Sequence, residues 1–207
     1  MGALSPWIET ICAWLALFAS LVVVLLIILH LRNYRKPFEQ RFMVRIQLIV
    51  PLFAASCYSM LVNPSLGFNR FILEPTREIY EAFVIYTFFL LLTLMLGGER
   101  NIIIRTSGRQ PVAHPPPLGW ILPRIDILDP YSFLKIKQGI FQYVWLKPAI
   151  CFGTLLAEGC GWYNVDDTLW QSPYLWLTLL YNLSVLLSLY CLALFWKIFW
   201  SDLKPFN

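Results

Sequence analysis

ICAWLALFASLVVVLLIIL, residues Ile11 to Leu29, is the stretch that decides the fold. It contains nothing more polar than Ser20, has Thr10 just before it, and is followed at once by Arg32, Arg35, Lys36, Arg41 and Arg45. About 20 consecutive apolar residues in a helix cross a hydrocarbon core about 30 Å thick, and clustered cations mark the end that stays in the cytoplasm. The stretch therefore predicts a transmembrane helix and a membrane protein around it.

The rest of the chain has the same character. Of 207 residues, 58% are hydrophobic, 16% aromatic and only 14% charged, with a mean hydropathy of +0.63, whereas a soluble domain carries roughly 25% charged residues. Several apolar runs in one chain predict an all-α, polytopic transmembrane helical bundle forming a single membrane domain over 1–207. Met1 to Pro6 carries no cationic n-region, and the apolar run exceeds the h-region of a secretory signal, so the first helix is expected to stay uncleaved. Pro6 stands where a myristoylation pattern needs Ser or Thr, so no lipid anchor is implied.

Five spans are expected, at about 8–30, 46–62, 80–96, 139–157 and 173–196. Pro51 predicts a kink in the second, and Gly97-Gly98 a cheap stop for the third, because glycine tolerates positive φ. The segment 99–137 holds Arg100, Arg105, Arg109, Arg124, Lys135 and Lys137 with His114-Pro115-Pro116-Pro117 and has no run long enough to span. It is expected to be a cytoplasmic loop, extended at the prolines and lying at the interface near Trp120 to Leu128.

Cation counts test the threading. The connections after spans one and three carry five and six Lys or Arg and the C-terminal end two, against Arg70 and Arg77 after span two and none after span four. The last of these connections is acidic, with Glu158, Asp166 and Asp167. The expected topology is N-terminus outside and C-terminus cytoplasmic. Trp162, Tyr163, Trp170, Tyr174 and Trp176 at one end of span five, and Trp196 and Trp200 at the other, suit aromatic belts at the two headgroup regions.

Four blocks of sequence carry a resemblance. His30-Leu31-Arg32-Asn33-Tyr34-Arg35-Lys36-Pro37 runs on through Gln40-Arg41 and Arg45-Ile46 to Val50-Pro51. The others are Arg77-Glu78-Ile79-Tyr80-Glu81-Ala82-Phe83-Val84-Ile85-Tyr86, then Leu96-Gly97-Gly98-Glu99, then Lys137-Gln138-Gly139 through Gln142 to Lys147-Pro148. In this order they resemble the organic solute transporter alpha-subunit family, which includes the transmembrane protein 184 group, and the Pro-containing loop is most similar to fungal members. The resemblance implies seven spans with an external N-terminus, so that this chain looks like an N-terminal five-span portion lacking the last two spans and the tail. For animal members it implies facilitated diffusion of organic anions beside a single-span partner subunit, although the cysteine-rich cytoplasmic cluster expected of that member is missing here. For fungal relatives it implies a vacuolar or other endomembrane location, with one group tethering an autophagy ubiquitin-like protein through the tail.

Ionisable groups inside spans cost roughly 2.5 to 3.5 kcal/mol on insertion scales, so each asks for a partner or a wet cavity. Lys147, read as eight residues into span four and followed by Pro148, is a candidate contact for an anion or headgroup; a salt bridge to an absent helix or snorkelling is the alternative. Glu81 is expected to pair with Arg77 one turn earlier, and is otherwise a further candidate solute contact. Gln142, Asn182 and Tyr86, with Gln47, are polar positions suited to interhelical hydrogen bonds or to lining a solute path.

Asn182-Leu183-Ser184 matches the glycosylation triplet but falls inside a span, and proline excludes Asn63-Pro64-Ser65. The five cysteines lack CxxC spacing, and His30 and His114 are isolated in sequence, so neither metal nor other cofactor is expected. No nucleophile triad, Walker loop or dinucleotide fingerprint is present, and no enzymatic role or nucleic-acid partner is expected. Two functions stand: transport or binding of an amphipathic organic solute or lipid in the bundle, alone, with a single-span partner or as a homo-oligomer; or a non-transporting endomembrane scaffold or receptor. Polar groups facing a cavity favour the first, and polar groups paired with one another favour the second.

Overall fold

A computed structural model describes residues 5–63, 67–106, 110–116, 118–120, 123–126, 129–162, 170 and 172–203. The described chain is nearly all helix: α1 (Pro6–Arg32), α2 (Pro37–Gln47), α3 (Ile49–Val62), α4 (Glu74–Met95), α5 (Glu99–Thr106), α6 (Pro130–Gly159) and α7 (Pro173–Leu203). Among the described residues five helical stretches are long and apolar enough to cross a membrane: Pro6–Arg32, Pro37–Val62, Asn69–Met95, Tyr131–Gly159 and Pro173–Leu203. Two compact units divide the chain, Met1–Phe88 and Phe89–Asn207.

In the first unit α1 packs on α3. α1 is apolar on all sides and carries no buried residue, the pattern of a helix solvated by lipid. Gln40 ties the turn after it: its amide nitrogen donates to the carbonyls of His30 at 3.3 Å and Asn33 at 2.7 Å, and its side-chain oxygen accepts from the Lys36 backbone N–H at 3.1 Å. One residue thus satisfies orphan groups at the end of α1 and the start of α2. The kink expected from Pro51 is a break at Leu48, between α2 and α3. Its cause is steric, since a proline ring clashes with the carbonyl four residues back, here that of Gln47, the last residue of α2.

The third span was expected to begin at about 80; the helix instead runs from Asn69, with a π-turn over Asn69–Leu73. Pro75 removes the donor that an α-helix would aim at Phe71, and the wider turn accommodates the loss. Asn69, buried, gives the turn a polar anchor: it donates to the carbonyls of Ser59 at 3.0 Å and Asn63 at 2.8 Å and accepts from the Ser59 hydroxyl at 2.7 Å. α4 stops at Gly97-Gly98, with φ of 91° and 89°. The N–H of Gly97 bonds Leu94 and that of Gly98 bonds Thr93, both at 2.9 Å, the paired closure of a Schellman stop. α6 ends the same way, Gly161 bonding Glu158 and Trp162 bonding Ala157.

In the second unit α6 and α7 form the main packed pair. Phe195 sits edge-on to Phe89 at 5.0 Å between centroids and lies 6.4 Å from Phe133, and Ile136, Ile140, Tyr143, Leu194 and Ile198 are buried along α6 and α7. Gly139 lets the two helices meet, because a β-carbon there would collide with Cys191 Sγ. The segment expected as loop over 99–137 is partly helical: α5 occupies Glu99–Thr106 and α6 starts at Pro130, where Asp129 accepts from the Tyr131 N–H at 3.0 Å. An acidic cap followed by proline at the first helical position favours initiation well outside the apolar run. Val112 and Ile125 pair as an isolated antiparallel bridge. Of the expected interfacial segment, residues 121–122 and 127–128 lie outside the described residues, as do Asp166 and Asp167.

Candidate intramembrane site

α6 and α7 meet along a stripe that repeats every three or four residues on α7: Tyr181, Ser184, Ser188, Cys191 and Phe195. Ser184, Ser188, Cys191 and Phe195 are buried. Opposite them α6 presents Gln142, Tyr143 and Lys147. Gln142 and Ser184 form a reciprocal pair, the Gln142 amide donating to the Ser184 carbonyl and the Ser184 hydroxyl donating to Gln142 Oε1, each at 2.9 Å. Tyr143 lies 6.4 Å from Tyr181, ring to ring.

Lys147 is 4% exposed, and its ammonium sits 3.8 Å from the centre of the Tyr181 ring. Because α6 begins at Pro130 rather than near residue 139, Lys147 is 12 residues from the helix end at Gly159, about 18 Å at the helical rise, and farther still from its start. It therefore stands deeper in its helix than the sequence suggested. A desolvated cation–π contact is worth about 2 kcal/mol, against an insertion cost of roughly 2.5 to 3.5 kcal/mol. The aromatic face alone thus offsets most of the cost. Pro148 follows inside the helix, and the missing donor leaves the Val144 carbonyl without its helical partner.

The other candidates fall elsewhere. Asn182 is exposed and bonds its own helix at the Thr178 carbonyl, 2.9 Å away, so it makes no bridge between helices; one residue past Tyr181, it is rotated about 100° off the α6-facing stripe. Glu81 and Tyr86 lie half-buried on α4 within the first unit. The expected Arg77–Glu81 pair is replaced: the Arg77 guanidinium contacts Cys57 Sγ at 3.6 Å and Met60 Sδ at 3.8 Å and lies 5.4 Å from the Phe53 ring centre. A flat, weakly hydrated guanidinium is well suited to soft sulfur and π surface.

Sequence reading missed a second cluster. His114, isolated in sequence, stacks on Tyr190 with ring centres 5.9 Å apart, and its Nδ1 hydrogen-bonds the Tyr190 hydroxyl. Lys197 donates to the carbonyls of Ala113 at 2.8 Å and His114 at 3.3 Å. The proline-containing connection is thereby fastened to the C-terminal half of α7, at Tyr190 and Lys197. Lys137 pairs with Glu99 at 2.5 Å near the same end of α6. Among the described residues no group of three or more His, Cys, Asp or Glu could hold a metal.

Comparison with known proteins adds a lineage to this geometry. The profile described as Organic solute transporter Ostalpha matches residues 8–207. The chain is 46% identical over 205 residues to "Vacuole membrane protein HFL1" of Saccharomyces cerevisiae, covering 97% of this chain and 46% of that protein. It is 41% identical over 201 residues to "Vacuole membrane protein hfl11" of Schizosaccharomyces pombe, with the same two coverages. A Dictyostelium discoideum transmembrane protein 184 homolog is 32% identical over 203 residues, covering 95% of this chain and 38% of the homolog. The chain thus spans about half the length of the curated relatives it matches. No solved structure matches.

Proposed function

We propose, because this chain belongs to the organic solute transporter Ostalpha family, that it is the membrane-embedded part of a multi-pass scaffold of the vacuolar membrane, without enzymatic activity. The observation that carries this reading is the pairing of polar groups within α6 and α7. Gln142 is closed on Ser184, the Lys147 ammonium lies on Tyr181, and Asn182 is returned to its own backbone. Side chains engaged with each other stiffen a helix pair, whereas a solute path needs them turned toward a cavity. The two fungal relatives named as vacuole membrane proteins support the compartment. In this reading the basic connections face the cytoplasm and meet its partners there.

One observation favours the family's transport reading: a buried cation in the middle of a proline-containing helix suits an amphipathic organic anion that exchanges for the Tyr181 ring. Both readings meet in one experiment. The full-length protein, fluorescently tagged, is expected at the vacuolar rim, and in proteoliposomes it is expected to take up a fluorescent organic anion no faster than protein-free vesicles do. Uptake above that background, lost in a well-folded Lys147→Met variant, would replace the scaffold with a transporter.

A further inference from the structure

The turn between α1 and α2 is the most charged part of the first unit. Between His30 and Gln47 it carries Arg32, Arg35, Lys36, Arg41 and Arg45 against a single carboxylate, Glu39, and all five cations are exposed. Lys36 reaches Glu39 at 3.5 Å, an exposed pair of little worth. Cations flanking a span are common and need no built geometry. Here there is one. Gln40 makes three hydrogen bonds across the turn. Arg41 Nε donates to the Tyr34 hydroxyl at 3.0 Å, which in turn donates to the Pro37 carbonyl at 3.3 Å. The bond at Nε restrains the plane of the Arg41 guanidinium and does not use its two terminal nitrogens.

The depth of this elbow follows from helix lengths. α3 has 14 residues, about 21 Å at 1.5 Å per residue, which is too short for a hydrocarbon core of about 30 Å. About six residues of α2 complete the crossing, leaving Arg41 and the preceding turn at headgroup level. On α2 Arg41 and Arg45 border the apolar Phe38, Phe42, Met43 and Ile46, with the Arg45 guanidinium 5.9 Å from the centre of the Phe42 ring, so that the helix sets cations for phosphates beside apolar side chains for acyl chains.

We propose that the α1–α2 elbow, Arg32 to Arg45, is a binding surface for the anionic headgroups of phospholipids in the leaflet it borders. Gln40 and Tyr34 are its positioning residues: they hold the cations in one arrangement, and phosphate-bearing lipids are drawn from the bilayer to it. Charge complementarity selects the class of partner, and position at headgroup depth selects a lipid over a soluble phosphate.

The test uses the full-length protein in mixed vesicles of phosphatidylcholine and phosphatidylserine, extracted gently, with co-purifying lipid identified by mass spectrometry. Phosphatidylserine is expected to be enriched several-fold over its share in the vesicles. Loss of about five-fold in enrichment is expected for each of Arg35→Gln, Lys36→Gln and Arg41→Gln, from about 1 kcal/mol per cation near an anionic surface. Gln40→Ala and Tyr34→Phe leave every charge in place and are expected to lower the enrichment as well, which keeps the test valid where a charge variant misfolds. Phosphatidylserine retained only in proportion to its abundance, or enrichment unchanged in the positioning variants, overturns the proposal. So does displacement of the lipid by soluble inositol phosphate at matched concentration.

Discussion

Lys147 shows how a residue's sequence signal and its structural partner can differ in visibility. A cation in an apolar run is conspicuous in sequence; Tyr181, which receives it, looks in sequence like one more aromatic in a helix rich in them. Only the three-and-four spacing from Tyr181 through Ser184, Ser188 and Cys191 to Phe195 marks the face that turns toward α6. A double-mutant cycle separates the pair. Tyr181→Leu is expected to cost about 2 kcal/mol by exposing the ammonium to an apolar environment, and Lys147→Met to recover most of that loss, read as thermal unfolding in detergent. Gly139 carries a second expectation at this scale. Gly139→Ala is expected to destabilise by about 1 to 3 kcal/mol through overpacking against Cys191, and the double variant Gly139→Ala/Cys191→Ala to regain much of it. Asn69 had no sequence signal at all, because its three hydrogen bonds depend on a turn whose start nothing in the composition fixes.

At the level of elements, proline and glycine punctuation was readable and hydropathy boundaries were not. Pro51 marks the α2–α3 break within a turn, and Gly97-Gly98 stops α4 where expected. Span edges set by hydropathy fell short because the apolar run measures hydrocarbon thickness, while a helix continues into headgroups and water wherever caps such as Asp129 support it. The two stop glycines predict unequal substitutions. Gly98→Ala meets open space and carries only the strain of positive φ, about 1 kcal/mol. Gly97→Ala adds a clash with Asn101 Nδ2, which would lie 2.7 Å from the new β-carbon, and is expected to lower the melting temperature further and to loosen the α4–α5 turn to protease.

For the whole chain, membrane residence was legible in composition alone, and the family in the order of its motifs, now matched over residues 8–207. The charge asymmetry predicts the orientation: in intact cells an epitope ahead of Pro6 is expected to be protected by the vacuolar lumen from cytosolic protease, and one inserted near Arg109 to be cleaved. The reverse pattern would invert the threading. The relatives extend to about twice this span. The clamp of His114 and Lys197 on α7 bears on how such a protein communicates. A load placed on the proline-containing connection would fall on an ammonium seated between two carbonyls and on stacked rings, and so would reach α7 through its side chains.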